Sequence, residues 1–173
     1  MPGQVAQLAE WVAEYITVQR ARYTPSAMPL SPAQAAAMDG FFSPDALNVL
    51  LLTLQGECIQ NPPFYPQLQE LGFLNLPDQS TMAAITFSDV VVSRVPVTNG
   101  LLFHELVHVE QYRQVGTARF SELYVTGFLN GGGYEGIPLE VHAYRLGAQY
   151  EANPQLRFSV EDAVRDCIRQ SAY

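Results

Sequence analysis

The segment Leu101-Leu-Phe-His-Glu-Leu-Val-His-Val-Glu-Gln-Tyr-Arg constrains this chain more than any other stretch. Thr98-Asn99-Gly100 breaks the preceding segment and can cap a helix, and Gly116 can end one, so the run predicts a strongly apolar helix over 101–115. Set into it is His104-Glu105-Leu106-Val107-His108, which places two of the chain's three histidines four residues apart. Residues at that spacing stand one turn apart on one helix face, so both imidazoles can reach a single ion. Leu106, Val107 and Val109 are uncharged, as a buried metal-binding helix requires. Zinc accepts imidazole nitrogen at about 2.0–2.1 Å. Glu105, directly after the first histidine, can stand beside such an ion and hydrogen-bond a water there instead of ligating.

Two histidines leave a catalytic zinc site one protein ligand short. The candidates lie in Gly136-Ile-Pro-Leu-Glu-Val-His-Ala-Tyr-Arg, where Pro138 starts a helix expected to run to residue 151. Glu140 and His142 are two residues apart, about 200° around a helix, so both cannot face one ion. Glu140, near the helix N-terminus, is the expected ligand, and His142 the alternative.

The rest of the chain reads as helices around a small sheet. Val5, Leu8, Val12, Tyr15 and Ile16 recur at helical spacing over 4–23, and Trp11 on that helix is expected in the core. Ser31-Pro32 starts a short helix over 33–38, further helices cover 118–129 and 159–171, and the apolar run 48–54 is a strand. Residues 84–95, with Ile85, Phe87, Val90, Val91, Val92 and Val95, form the best strand in the sequence. Residues 60–66 hold three prolines and read as a loop, and Gly131-Gly-Gly as a flexible connection. At roughly 150 residues per domain, 173 residues predict one domain over 1–173, of the α+β class, with the metal-binding helix at its centre.

Seventeen acidic against nine basic residues give a net charge of −8, which argues against a nucleic-acid partner and an anionic membrane surface. No apolar run approaches a membrane span, and the first residues lack a signal peptide's basic region. The expectation is a soluble protein, cytoplasmic or exported without such a signal. Cys58 and Cys167 are too few for a disulfide scaffold and are expected as small buried hydrophobes in a reducing compartment.

The stretch from Leu101 to Gly116, with Phe120, Tyr124, Tyr134 and Pro138-Leu-Glu-Val-His-Ala-Tyr, resembles the gluzincin group of metallopeptidases. It looks most like the small H-E-x-x-H domains of bacterial genomes, members of which occur among the core proteins of extracellular contractile injection systems. With the strand from Ala84 that precedes it, the resemblance covers about half the chain. It implies a zincin-like fold, zinc held by His104, His108 and Glu140, and hydrolysis of a peptide or protein substrate. Glu105 would then be the general base, and a tyrosine beside the metal would donate to the developing oxyanion. Tyr112, Tyr134 and Tyr144 are available, with Tyr134, in the loop beside the third ligand, preferred. In zincin-like folds the strand before the metal helix is often an edge to which an extended peptide adds, and residues 84–92 are the candidate. Two positions depart from the group. Tyr144 stands four residues after Glu140, where many members carry Asp, and Glu110 replaces a residue that is often apolar. The rival expectation is a metal-stabilised structural or interaction module, a cargo or assembly component without turnover.

Overall fold

The computed structural model describes residues 2–170 and 172–173, so Ser171, at the end of the last expected helix, lies outside the described residues. Helix α1 (Pro2–Tyr23) leads through a 3-10 turn into β1 (Met28–Pro29) and α2 (Pro32–Met38). Ser31 and Gln34 cap α2 reciprocally, which satisfies two amide donors that the helix leaves free. Strand β2 (Leu50–Thr53) and the short helix α3 (Tyr65–Glu70) precede β3 (Ala84–Phe87) and β4 (Val90–Ser93). The long α4 (Asn99–Gly131), then α5 (Pro138–Ala152) and α6 (Val160–Arg169), complete an α+β fold.

The sheet has the order β1-β2-β4-β3, with β2 parallel to β4 and the other pairs antiparallel. The single strand expected over 84–95 is instead a hairpin. Ser88 takes φ 62°, the left-handed region that polar turn residues tolerate, and reverses the chain. Arg20 on α1 holds the turn by donating twice to the Asp89 carboxylate, at 2.5 and 2.8 Å. Among the described residues, the reversal leaves β3 at one edge of the sheet, opposite β1 and paired only with β4.

β4 is buried on both faces. Val90 and Val92 join Tyr15, Ile16, Phe87 and Tyr112 in one apolar cluster, whereas Val91 joins Leu102, Phe103 and Leu106 in the other. The period-two alternation of a strand thus places β4 between two cores, and α4 contributes to both. The α4 axis is interrupted at Gly116 (φ 76°, ψ 162°), a backbone state open in practice to glycine alone. The two helices expected on either side of Gly116 therefore exist, joined without a loop.

Several smaller expectations change. Residues 60–66 are not all loop, because Tyr65 begins α3 with Pro66 in its first turn, where no amide donor is needed. Trp11 is half-buried and packs on Phe64 with ring centroids 5.8 Å apart. Cys58 is exposed and Cys167 half-buried, so neither is the core hydrophobe expected. Cys58 falls in an irregular segment after β2, where no regular packing encloses it. Among the described residues, no helix is long and apolar enough to cross a membrane.

Candidate metal centre

Thr98 caps α4 by accepting from the Leu101 amide, which fixes the phase of the helix just before His104. One turn then separates His104 from His108, and their Nε2 atoms lie 3.1 Å apart. Glu140, in the first turn of α5, brings Oε2 to 3.6 Å from His104 Nε2 and 3.3 Å from His108 Nε2. Two donors at about 2.0–2.1 Å from one ion, separated by a tetrahedral angle, would lie about 3.3 Å apart. The three observed distances straddle that value.

The surroundings show what the cluster lacks. His108 Nδ1 lies 2.8 Å from Gln111 Oε1, an acceptor, so this nitrogen carries the proton and Nε2 presents its lone pair to the cluster. Glu140 Oε2 is buried without a hydrogen-bond partner. A buried carboxylate oxygen facing imidazole lone pairs needs a cation between them, either a proton or a metal ion. Protonation alone is already favoured. Burial depresses His108, but the Glu140 carboxylate and then Glu105 outweigh it and raise the imidazole to about 9. Burial likewise pushes Glu140 up, but His108 and His104 hold its carboxyl well below the usual range. His104, His108 and Glu140 are thus a donor set that fits a divalent ion, and among the described residues no other such group of three occurs.

Gln111 extends this order outward. Its amide nitrogen donates to the Leu139 carbonyl at 3.0 Å, so one side chain both orients His108 and ties α4 to the residue before Glu140. Sequence reasoning missed Gln111, although its position one turn beyond His108 was the available signal. It also missed Thr86. Thr86 Oγ1 on β3 donates to Glu105 Oε2 at 2.7 Å and lies 3.2 Å from the Glu105 carbonyl. Glu105 is buried, held against the edge strand, and borders both cavities that flank the cluster.

His142 is also buried, but it belongs elsewhere. Its Nδ1 lies 2.5 Å from the Tyr173 hydroxyl and its Nε2 3.6 Å from Cys167 Sγ. Burial, then Arg145 and His108, lower it to about 4, so it stays neutral. The expected opposition of Glu140 and His142 across α5 is what the helix delivers.

Of the three candidate tyrosines, Tyr112 and Tyr134 line the cavity that holds the cluster. Burial, then Glu140, raises both phenols far above their ordinary value, so they remain donors at any physiological pH. Tyr144 instead lays its exposed ring against His104, with centroids 4.5 Å apart. The Gly131-Gly-Gly connection is packed, not loose. A Cβ at Gly131 or Gly136 would collide with the other's backbone, and Asn75 donates to the Gly132 carbonyl at 3.0 Å. This close approach sets Tyr134 at the mouth of the cluster. Glu110, the other departure, is fully buried and accepts from Arg113 and Gln114 at 2.6 and 2.7 Å, away from the face that carries His104 and His108.

No protein-family model, curated protein or solved structure matches the chain.

Proposed function

We propose that this chain is a zinc-dependent metallopeptidase of the gluzincin-like kind, with a zincin-like fold and with His104, His108 and Glu140 as metal ligands. The observation that carries the reading is the placement of Glu105. A site needed only to staple α4 to α5 has no use for a carboxylate beside the ligands, yet Glu105 is buried there and steadied by Thr86.

Bound zinc would polarise a scissile carbonyl and acidify a water. Glu105 accepts the proton of the attacking water and delivers it to the leaving amine. Thr86 holds the carboxylate in one rotamer, so the proton acceptor does not swing away between turnovers. Tyr134, neutral and bordering the same cavity, donates a hydrogen bond where negative charge develops on the carbonyl oxygen. β3, unpaired on its outer side and bordering the cluster, offers backbone groups to an extended peptide. The net charge of −8 favours a peptide or protein substrate over a nucleic acid.

The rival reading, a metal-stabilised assembly module, draws on one observation: Tyr144 meets His104 through its ring, where a peptidase of this group would present a carboxylate. Glu105→Gln separates the two. The peptidase keeps its zinc content and melting temperature but loses about 10²–10⁴-fold in cleavage of a flexible protein substrate. A module shows no chelator-sensitive cleavage in the wild type. Equal cleavage by both proteins refutes the assigned base.

A further inference from the structure

The two cavities beside the cluster differ in size and lining. On one side lies a wide cleft of about 490 Å³, bordered by residues 82–84, by Gly100 and Gly147, and by the exposed Glu151. On the other, a narrower cavity of about 100 Å³ runs beneath α1, walled by Tyr15, Phe64, Tyr65, Tyr112, Phe120 and Tyr124. The Tyr15 hydroxyl is engaged with the Gln60 carbonyl and Gln79 Oε1, at 2.7 and 2.5 Å. Apart from the cluster's own Glu105, Glu140 and histidines, no ionisable acid or base other than tyrosine lines the narrower cavity among the described residues. A smaller apolar recess of about 60 Å³ lies beside it, sharing Val12, Phe64, Tyr65 and Tyr124 and adding Leu8 and Phe128.

An extended backbone cannot run into the recess, because its amide groups would find almost no partners there. A substrate chain must therefore pass along β3 and turn a side chain inward. A charged side chain would lose its hydration, and the carboxylates that line the cavity, Glu105 and Glu140, are already engaged with Thr86 and with the two histidines, whereas an aromatic ring gains both burial and ring contacts. The narrower cavity borders all of β3, Ala84 to Phe87, while the wide cleft borders 82–84. A peptide pairing antiparallel to β3 runs from its Phe87 end to its Ala84 end. The residue entering the narrower cavity then lies on the acyl side of the scissile bond.

We propose that this aromatic-walled cavity is a specificity pocket for a bulky apolar side chain, Phe or Tyr fitting best, on the acyl side of the bond that is cleaved. Val12 and Phe64, at the junction with the recess, set its depth. This rests on the reading of the cluster as a metallopeptidase site, and the test separates the two.

Flexible peptides identical except for Phe, Tyr, Leu, Ala or Lys at one position are assayed for cleavage by the zinc-loaded protein. Their dissociation constants are also measured with Glu105→Gln protein, which cannot turn them over, with and without zinc. Because one missing methylene in an apolar pocket costs about 10-fold or more, Phe should bind at least about 30-fold more tightly than Ala, and Lys more weakly than Ala. Val12→Phe fills the junction and should shrink the Phe-to-Ala ratio at least about 10-fold. The peptide series needs no substitution in the pocket, so it decides the matter even if Val12→Phe does not fold. Equal binding of Phe and Ala, tight binding of Lys, or selectivity confined to the amine side overturns the pocket. Selective binding without any cleavage by the wild type keeps the pocket and overturns the peptidase. Cleavage without selectivity does the reverse.

Discussion

Replacing Gln111 by leucine tests how the geometry of the His104, His108 and Glu140 cluster is maintained. Gln111 is fully buried and makes two bonds that matter here, accepting from His108 Nδ1 at 2.8 Å and donating to the Leu139 carbonyl at 3.0 Å. Leucine fills similar volume but makes neither. The His108 N–H is then buried without an acceptor, which costs about 1–3 kcal/mol and frees the imidazole to exchange tautomers. Loss of such outer support lowers metal affinity about 10–100-fold, or about 1.4–2.8 kcal/mol. At about 2–4 °C per kcal/mol for a chain of this size, the metal-free melting temperature should fall by about 2–12 °C. Competition against a chromophoric chelator measures the affinity, and calorimetry of metal-free protein measures the stability. The reasoning requires both to fall. A lower melting temperature with unchanged zinc affinity would reduce Gln111 to a tie between helices and refute its role in orienting His108.

Glu140→Ala should weaken zinc binding at least about 10-fold and His142→Ala much less, because His142 faces Tyr173 and Cys167; the reverse order in the same competition assay reassigns the ligand. His108, raised to about 9, should make the metal-free protein pH-sensitive. Its protonated pair with Glu140 adds stability that is complete below about pH 6.5 and lost as pH rises through about 9. Zinc must displace that proton, so zinc affinity should climb across the same window and level off above it; a flat profile from pH 6 to 9 contradicts the pairing. Gly116→Ala should cost about 1–3 kcal/mol, read by chemical denaturation, while zinc stoichiometry holds, because only the helix break requires φ 76°.

The helix that carries His104 and His108 was legible because its information is local: apolar phase, cap, glycine stop and the four-residue histidine spacing all sit within residues 98–116. Helical rotation made the opposition of Glu140 and His142 legible, and the place of Glu140 in the first turn after Pro138 made the choice between them. The hairpin was not. Ser88-Asp89 interrupts the apolar run of 84–95 by only two residues, and the αL backbone of Ser88 is stabilised by Arg20, 69 positions from Asp89. Thr86 was invisible for the same physical reason, since its partner Glu105 is brought to it by tertiary packing and no local pattern marks the pair. The cysteines misled because composition describes an average environment, whereas Cys58 sits in an irregular segment that nothing covers.

The alternation along β3 has a consequence for how freely this chain can drift in sequence. Successive side chains of a strand point to opposite faces, and Thr86 spends its side chain on Glu105 while its backbone lies at the open edge of the sheet. A substitution at Thr86 therefore removes the hydrogen bond that steadies Glu105, whereas one at the half-buried Ile85 alters packing against the apolar cluster of Tyr15, Phe87 and Val92. Insertion of a single residue within β3 would exchange the two faces, turning Thr86 toward the apolar cluster and an apolar side chain toward Glu105. Variants of this protein should accordingly accept only apolar replacements at position 85, resist any at 86, and reject a change in the length of the strand.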